Sequence, residues 1–427
     1  MKRFLIRVAQ FIKRWVLLFS RIYSRRRKNL WVFGEWFGRR CCDNCLYFAN
    51  YIAQNHPEIS LIWSTHPGTD VSRLDKSITV VENDSEKARG FYLHAGVVII
   101  NEDLCDITQE DTYFYFGRAF VLNLWHGAPW KKIARASLPP IVGNFLRKAY
   151  IATINRLRQN DSFLVTSNDF ADIVVQNFGI RKENIIRGGY PRNSDFYHPE
   201  RVREIRRGVL NKLESLSLGG RLEGCRLIAY MPTFRDHTGK VFSFKSVASD
   251  KRLNEILETY NAIIVQKGHF VSEERRKGLW PGDEEPDEEL VTGTEGNETK
   301  TTRIIEIDDV SAAELLAAAD ILITDYSSCF FDFLLLNRPI IHFLYDYDYY
   351  AGEDRGLLYK KEDIVCGDSP QTFHDLLEAL DQNLNMPDKY SELRKQRRRK
   401  YMTYESADSC QVLYKEICKR VGLTTQA

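Results

Sequence analysis

Three clusters of polar residues in the second half of the chain each follow closely on a short apolar run. They are Asp325-Tyr326-Ser327-Ser328 after Ile321–Thr324, Thr233-Phe234-Arg235 after Leu227–Tyr230, and Lys267-Gly268-His269 after Ala262–Val265. The apolar runs have the length and residue types of buried strands in a parallel sheet. Because ligands bind such sheets at the carboxyl ends of the strands, the three clusters are predicted to meet in one pocket.

The groups in these clusters suit an anionic ligand such as a phosphate. Ser327 and Ser328 precede a predicted helix, Cys329–Leu336, and the N–H groups at the start of a helix bind phosphate. Arg235 offers phosphate a two-pronged guanidinium, and Lys267 offers a point charge. Taken singly, each feature has an ordinary explanation as a helix cap or a surface cation. It is their convergence on one sheet edge that predicts a phosphate site.

His126 is the candidate for proton transfer in the first half of the chain. The segment Trp125-His126-Gly127 follows the apolar run Phe120–Leu124. A neutral imidazole at a strand end can take a proton from a hydroxyl nucleophile. The structural alternative is a histidine that packs against Trp125 or Trp130 and bonds to the backbone.

Alternating strands and helices are needed to position these groups, and the whole chain shows that alternation, which predicts an α/β fold with parallel sheets. The predicted strands are Leu30–Phe33, Ser60–Trp63, Val97–Ile100, Phe120–Leu124, Phe163–Thr166, Leu227–Tyr230, Ala262–Val265, Ile321–Thr324 and Ile340–Phe343. An amphipathic helix is predicted at Asn44–Asn55, and the charged, then Gly- and Ser-rich stretch 200–224 indicates a connection. We therefore expect two Rossmann-like domains facing one another across a cleft, residues 29–205 and 225–427, the second ending in a basic helical tail.

The composition is that of a globular protein. The chain has 427 residues, 44% hydrophobic and 28% charged, which excludes a disordered, collagen-like or coiled-coil protein. Its net charge of +2 argues against a general nucleic-acid binder. The nine cysteines are mostly isolated, which favours a reducing, cytoplasmic compartment over a disulfide framework. Cys41-Cys42-x-x-Cys45 lacks a second pair of ligands, so we expect no metal site and no cofactor.

The first 28 residues are strongly basic. They contain ten Lys and Arg residues and no acidic residue, with apolar and aromatic residues between them at near-helical spacing. The longest uncharged run after Arg14, Trp15–Ser20, is far shorter than the ~20 apolar residues of a spanning helix. The pattern favours an amphipathic helix on an anionic membrane surface over a helix docked on its own domain. The acidic stretch 281–302 has no apolar period and is predicted to be a flexible surface loop.

An ordered series of segments resembles the CDP-glycerol glycerophosphotransferase family of teichoic-acid primases and polymerases. The segments are Asn123–Gly127, Gly189–Asn193, Pro232–Arg235, Lys267-x-His269, Ile323–Ser328, Phe331–Phe333, Arg338–Ile340, Asp346-x-Asp348-x-Tyr350 and Arg355-Gly356, with weaker similarity at Phe33-Gly34 and Asp43-Asn44. The series covers about residues 30–360 and is far more specific than any single motif. Phe270 departs from the family, which usually has Pro after Lys-x-His.

The resemblance implies a GT-B-like fold and an enzyme that transfers glycerol phosphate from CDP-glycerol to a hydroxyl, with release of CMP. It implies His126 as the base on the acceptor side and His269 as a second catalytic group. The implied substrate-binding residues are Arg235, Lys267, Thr233, Asp325, Ser327, Ser328, Arg192 and Asp43. The acceptor would be a lipid-linked glycan or polyol phosphate, and the enzyme a peripheral protein on the cytoplasmic face of the membrane, making a teichoic-acid-like or capsular polymer.

Three alternatives stay open on the sequence. The same scaffold can use CDP-ribitol or another activated polyol, or it can be a GT-B glycosyltransferase that releases UDP or GDP. The third alternative is a non-catalytic, membrane-bound assembly protein. The presence of His126, Arg235, Lys267 and the serine pair argues against that third alternative.

Removal of residues 1–28 is expected to release the protein from anionic vesicles, because it removes ten positive charges. Turnover of a soluble acceptor should persist. Co-sedimentation with phosphatidylserine vesicles, with neutral phosphatidylcholine vesicles as the control, measures the effect. Binding that survives the deletion would point instead to the basic segment Arg394–Lys400.

Overall fold

The computed structural model describes residues 25–108, 116, 118–133, 161–216, 222–233, 235, 241–268, 303–354 and 356–424. The chain divides into two compact units. Unit 1 comprises Met1–Ala128, Leu138–Tyr197 and Thr403–Ala427, and unit 2 comprises Pro129–Ser137 and His198–Met402.

Unit 1 is built on a seven-stranded parallel sheet. Its strands are β1 (Arg27–Phe33), β2 (Ser60–Thr65), β3 (Thr79–Glu82), β4 (Ala95–Ile100), β5 (Phe120–Asn123), β6 (Asp161–Val165) and β7 (Ile185–Arg187), in the order β3-β2-β1-β4-β5-β6-β7. The helices α1 (Asn44–Asn55), α2 (Glu86–His94) and α3 (Asn168–Phe178) connect them. β4 is buried along its whole length, as expected for a parallel sheet covered on both faces.

Unit 2 contains a five-stranded parallel sheet. Its strands are β8 (Arg226–Met231), β9 (Ala262–Gln266), β10 (Ile304–Glu306), β11 (Ile321–Thr324) and β12 (Ile340–His342), in the order β10-β9-β8-β11-β12. Its helices are α4 (Pro199–Leu216), α5 (Lys251–Thr259), α6 (Ala312–Ala318), α7 (Cys329–Phe333), α8 (Tyr347–Gly352), α9 (Lys361–Ile364), α10 (Phe373–Asn385) and α11 (Ser391–Tyr401). The neighbouring order β9-β8-β11 brings the carboxyl ends of these three strands to one edge, as predicted.

The sequence patterns predicted the interior of both sheets. All nine predicted strands are present, and α1 has the predicted bounds. Asp43 starts α1 by accepting a hydrogen bond from the N–H of Asn44 (2.7 Å). The strands that the patterns missed, β3, β7 and β10, are three or four residues long and lie at sheet edges, where they are partly exposed. A short, half-exposed strand has no continuous apolar run, so periodicity does not reveal it.

The division into units differs from the predicted domains at three places. Pro129–Ser137 belongs to unit 2. α4 belongs to unit 2, where the Arg206 guanidinium lies 2.8 Å from the carboxylate of Asp320. The last helix, α12 (Ser409–Val421), belongs to unit 1 rather than to the second domain. Its Tyr414 hydroxyl donates to the carboxylate of Glu58 (2.9 Å). A linear sequence pattern does not reveal such long-range polar contacts.

The amphipathic helix predicted for residues 1–28 overlaps the described residues only at its last four positions. β1 begins at Arg27, so residues 27–28 are strand, and an N-terminal deletion that spares the sheet should end at or before residue 26. Residues 1–24 of the predicted helix, and the acidic stretch 281–302, lie outside the described residues. Within the part of the chain that the structure describes, no helix has both the length and the apolar character required to cross a bilayer.

The buried histidine His342 makes the stability of the fold depend on pH. The imidazole of His342, at the end of β12, is fully buried, and its Nε2 accepts a hydrogen bond from the N–H of Cys366 (3.4 Å). The rings of Trp130 and Phe330 pack edge-on against it. Burial, and then the positive charge of Lys361, lower the pKa of His342 from 6.5 to about 3. The folded state therefore holds a neutral imidazole that the unfolded chain protonates in mild acid.

Because the folded pKa is the lower one, the contribution of His342 to stability is complete above pH 6.5 and is lost as the pH falls towards 3. The loss between pH 7 and pH 5 is about 2 kcal/mol. His342→Gln keeps an acceptor for Cys366 but cannot ionise, so its unfolding should depend less on pH. Thermal unfolding at both pH values measures this, with the exposed His374→Gln as the control. Equal pH sensitivity in the wild type and His342→Gln would contradict the prediction.

Candidate active site

The loop that carries His126 leaves the carboxyl end of β5, as predicted. The N–H of Trp125 donates to Oδ1 of Asn123 (2.8 Å), and Trp125 itself takes a left-handed φ of 57°. A side chain with a β-carbon adopts that conformation rarely, so other contacts must hold it there. The sharp turn leaves 26% of the His126 side chain exposed. The imidazole is thus accessible to a substrate, while its backbone belongs to a strained loop.

Buried polar groups hold this loop from behind. The carbonyl of Trp125 accepts a hydrogen bond from the side-chain amide of Asn44 (2.8 Å). The carbonyl of His126 accepts one from the guanidinium of Arg192 (3.1 Å). That guanidinium also pairs with the carboxylate of Asp43, whose residue is 8% exposed. Asp43 and Arg192 were predicted to bind substrate, and their observed contacts also hold the loop of His126.

Two further carboxylates lie buried beside this loop, and sequence analysis did not single them out. Glu35 accepts hydrogen bonds from the N–H groups of Asp43 (2.8 Å) and Leu46 (3.3 Å). Burial, and then the negative charge of Asp43, raise the pKa of Glu35 well above its usual range. The preceding Gly34 allows a close approach of two chain segments, because a β-carbon there would lie 2.4 Å from the carbonyl oxygen of Asp106.

Asp106 is the second of these carboxylates. It accepts hydrogen bonds from the N–H groups of Phe37 (2.7 Å), Asn101 (2.8 Å) and Glu102 (2.7 Å). Burial, and then the negative charge of Glu102, raise the pKa of Asp106 to about 8. Asp106 therefore ties the end of β4 to the segment that follows β1. Nothing in the local sequence pattern marked it as buried.

In unit 2 the predicted phosphate ligand Arg235 is fully buried. Its guanidinium lies 2.9 Å from the carboxylate of Asp325 and 2.7 Å from that of Asp346. It also donates to the carbonyl of Thr233 (2.6 Å) and to the hydroxyl of Tyr345 (3.1 Å). These protein groups contact the guanidinium from several sides, so Arg235 is buried beneath the surface at this edge of the sheet.

Asp325 joins the loops that follow β8 and β11. Its carboxylate accepts hydrogen bonds from the N–H groups of Thr233 (2.8 Å) and Tyr326 (2.6 Å). The hydroxyl of Thr324 makes a second link, donating to the carbonyl of Met231 (2.6 Å). Thr233 is almost fully buried. Asp325 and Thr233, both predicted to bind substrate, therefore lie in the inner layer of this edge with Arg235.

Ser327, Ser328 and Lys267 lie further out and are partly exposed. The hydroxyl of Ser327 accepts a hydrogen bond from the N–H of Cys329 (3.4 Å), and the side chain of Ser328 makes no capping bond to α7. The ammonium of Lys267 donates to the carbonyl of Asp308 (2.9 Å). These groups follow β11 and β9, at the same edge of the sheet. The predicted catalytic residue His269 lies outside the described residues.

Arg235→Ala should destabilise unit 2 strongly, because it leaves the buried Asp325 and the partly exposed Asp346 without their positive partner. Breaking a buried ion pair in this way typically costs about 3–5 kcal/mol. The matched control is Arg252→Ala, which removes an exposed pair with Glu378 and should cost about 1 kcal/mol or less. Thermal unfolding compares the two variants. A stable Arg235→Ala protein that had lost affinity for the nucleotide donor would instead make Arg235 a direct ligand.

Comparisons with known proteins place the chain among teichoic acid enzymes. It matches the family model described as CDP-Glycerol:Poly(glycerophosphate) glycerophosphotransferase over residues 17–419. It is 27% identical over 400 residues to the teichoic acid glycerol-phosphate transferase of Staphylococcus aureus (strain NCTC 8325 / PS 47), covering 91% of this chain and 93% of that relative. It is 26% identical over 371 residues to the teichoic acid poly(glycerol phosphate) polymerase of Bacillus subtilis (strain 168), covering 85% of this chain and 45% of the polymerase.

The solved structures confirm the fold at the level of an α/β protein with parallel sheets. The wall teichoic acid polymerase TagF superposes with a TM-score of 0.74 at 21% identity, covering 99% of this chain and 96% of that one. A variant of the same polymerase soaked with CDPG gives a TM-score of 0.73 at 20% identity, covering 99% of this chain and 97% of that one. Since the family match extends through both units described above, the chain belongs to the CDP-Glycerol:Poly(glycerophosphate) glycerophosphotransferase family.

Proposed function

We propose that this protein transfers glycerol phosphate from CDP-glycerol to a hydroxyl group of a lipid-linked acceptor and releases CMP, in the synthesis of a teichoic-acid-like polymer. The observation that carries the proposal is that a member of this phosphotransferase family keeps a partly exposed imidazole, His126, on a loop held by buried groups. The fixed loop matters because phosphoryl transfer depends mainly on positioning and on stabilising charge.

In the proposed reaction His126 takes the proton of the acceptor hydroxyl. The hydroxyl oxygen then bonds to the β-phosphorus of CDP-glycerol, and the bond from that phosphorus to the bridging oxygen breaks, so the electron pair leaves with CMP. The base contributes by raising the nucleophilicity of the oxygen as the new bond forms.

The donor pyrophosphate is assigned to the outer groups of unit 2. Ser327 and Ser328 supply hydroxyl donors and Lys267 supplies a positive charge that offsets the charge developing on the leaving oxygens. His269 is proposed to assist them, as the resemblance implied. Arg235, Asp325 and Thr233 act from the inner layer, where their contacts hold the serine loop and the β8 loop in one arrangement.

A membrane location is part of the proposal. The ten cations of residues 1–28 would hold the protein against anionic lipid on the cytoplasmic face, beside a lipid-linked glycan or polyol-phosphate acceptor. The donor would reach the enzyme from solution. The finished product would be a wall or capsular polymer.

Release of CMP from CDP-glycerol by purified protein, dependent on a lipid-linked acceptor analogue, tests the donor and the reaction together. CDP-ribitol and UDP-sugars run in parallel, and release from one of them alone would replace the proposed donor. His126→Ala should lower turnover by about 10²- to 10⁴-fold, the usual contribution of a general base. The matched control is the exposed His94→Ala in the same unit, which should keep full turnover. Near-normal turnover by folded His126→Ala would contradict the role of the base.

A further inference from the structure

A carboxylate lies beside the imidazole of His126. Nδ1 of His126 is 3.0 Å from Oε1 of Glu102, and the two side chains are 26% and 22% exposed. Nδ1 itself is buried and makes no hydrogen bond that meets the usual geometric limits, so the carboxylate lies next to Nδ1 without a formed hydrogen bond. Catalytic hydrogen bonds are often misaligned without substrate and tighten when it binds.

The position of Glu102 is set by the same groups that set the loop of His126. The N–H of Glu102 donates to the buried Asp106 (2.7 Å), and its carbonyl accepts from the side-chain amide of Asn123 (2.6 Å). The other end of that amide accepts from the N–H of Trp125 (2.8 Å). Asn123 therefore connects the residue bearing the carboxylate with the residue next to the imidazole. One side chain therefore holds the backbone of Glu102 and the backbone of the residue that precedes His126.

Aromatic rings enclose the pair on two sides. The ring of Trp125 lies 4.2 Å from the imidazole, centre to centre, and that of Trp36 lies 5.2 Å away. The indole N–H of Trp36 donates to the carboxylate of Asp43 (3.1 Å), which fixes that ring as well. These ring contacts restrict rotation of the imidazole beside Glu102.

We propose that Glu102 is a positioning residue for His126, and this rests on the proposed function. With Glu102 beside Nδ1, the imidazole keeps its proton on Nδ1 and presents the lone pair of Nε2 to the acceptor hydroxyl. When Nε2 takes that proton, the imidazolium formed stays next to a negative charge. In this role Glu102 acts through His126.

The charged groups facing His126 are few among the described residues. Glu102 approaches the ring from the end of β4, and the guanidinium of Arg192 contacts the backbone carbonyl. Asp43 and Asp106 lie one contact further away, bonded to Arg192 and to the backbone of Glu102 respectively.

The test compares Glu102→Gln and Glu102→Asp with the wild type in the full-length protein. Glu58→Gln is the matched control, because it removes the carboxylate beside another histidine of unit 1, His56 (3.5 Å). Two measurements are made on each protein. The first is the pH profile of kcat/KM for CMP release from CDP-glycerol. The second is an NMR titration of 13C-labelled histidine, with the His126 signal assigned from its loss in His126→Gln.

Glu102→Gln should lower kcat/KM by about 10- to 100-fold, less than the ~10⁴ lost with the buried carboxylate of a Ser-His-Asp triad, because this pair is partly exposed. The acidic limb of the profile and the midpoint of the His126 signal should both move to lower pH, because the negative charge beside the imidazole is removed. Glu102→Asp keeps the negative charge. It should largely restore the wild-type pH of the acidic limb and of the His126 midpoint. Glu58→Gln should leave the profile and the His126 signal unchanged.

The two measurements separate the inference from the function on which it rests. A His126 signal that titrates identically in the wild type and Glu102→Gln overturns the positioning role, even if CMP release is normal. A kcat/KM profile unchanged by Glu102→Gln in an active enzyme overturns it as well. If the His126 signal differs between the wild type and Glu102→Gln but the wild type releases no CMP from any donor, the result supports the pair and overturns the proposed function.

Discussion

A guanidinium buried against carboxylates fixes the strand-end loops in each of the two units. In unit 2 Arg235 lies between Asp325 and Asp346, and in unit 1 Arg192 pairs with Asp43. Burying these charges singly would cost several kcal/mol each, and close pairing offsets that cost without adding much net stability. What the pairs provide is geometry, because a buried charge is tolerated in the one arrangement that keeps it paired. The loops bonded to these charges are held in that arrangement.

This constraint leads to two layers of polar groups with different roles. The inner layer is buried and bonded to the protein: Arg235, Asp325 and Thr233 in unit 2, and Asp43 and Arg192 in unit 1. The outer layer is partly exposed and consists of small or single-charge groups, among them His126 and Lys267. Phosphoryl transfer requires little covalent chemistry from the protein and much positioning. A rigid inner layer that presents a few outer groups meets that requirement.

The sequence predicted the strands inside both sheets and the places where polar groups follow them. It could do so because a buried parallel strand is a continuous apolar run, and because ligands collect at the carboxyl ends. It did not predict which polar groups face the protein. Residue type alone does not distinguish an arginine that binds phosphate from one that binds two aspartates, since both use the same donors. Glu35 and Asp106 escaped notice for the same reason: isolated carboxylates are ordinary on a surface, and their burial depends on residues distant in the chain.

The surroundings of Arg235 also explain why the residue is an arginine. Its guanidinium meets two carboxylates, a carbonyl and a hydroxyl at once, and the rings of Tyr326, Tyr345 and Tyr350 lie 4.9–5.4 Å from its central carbon. A planar group with five donors can satisfy carboxylates at its edge while aromatic rings cover its faces. A lysine ammonium has three donors around one point and no flat face, so it would leave one carboxylate or the carbonyl without a partner in a site that excludes water. The loops after β8 and β11 would then lose their common attachment, and the serine pair would lose its defined position relative to the sheet.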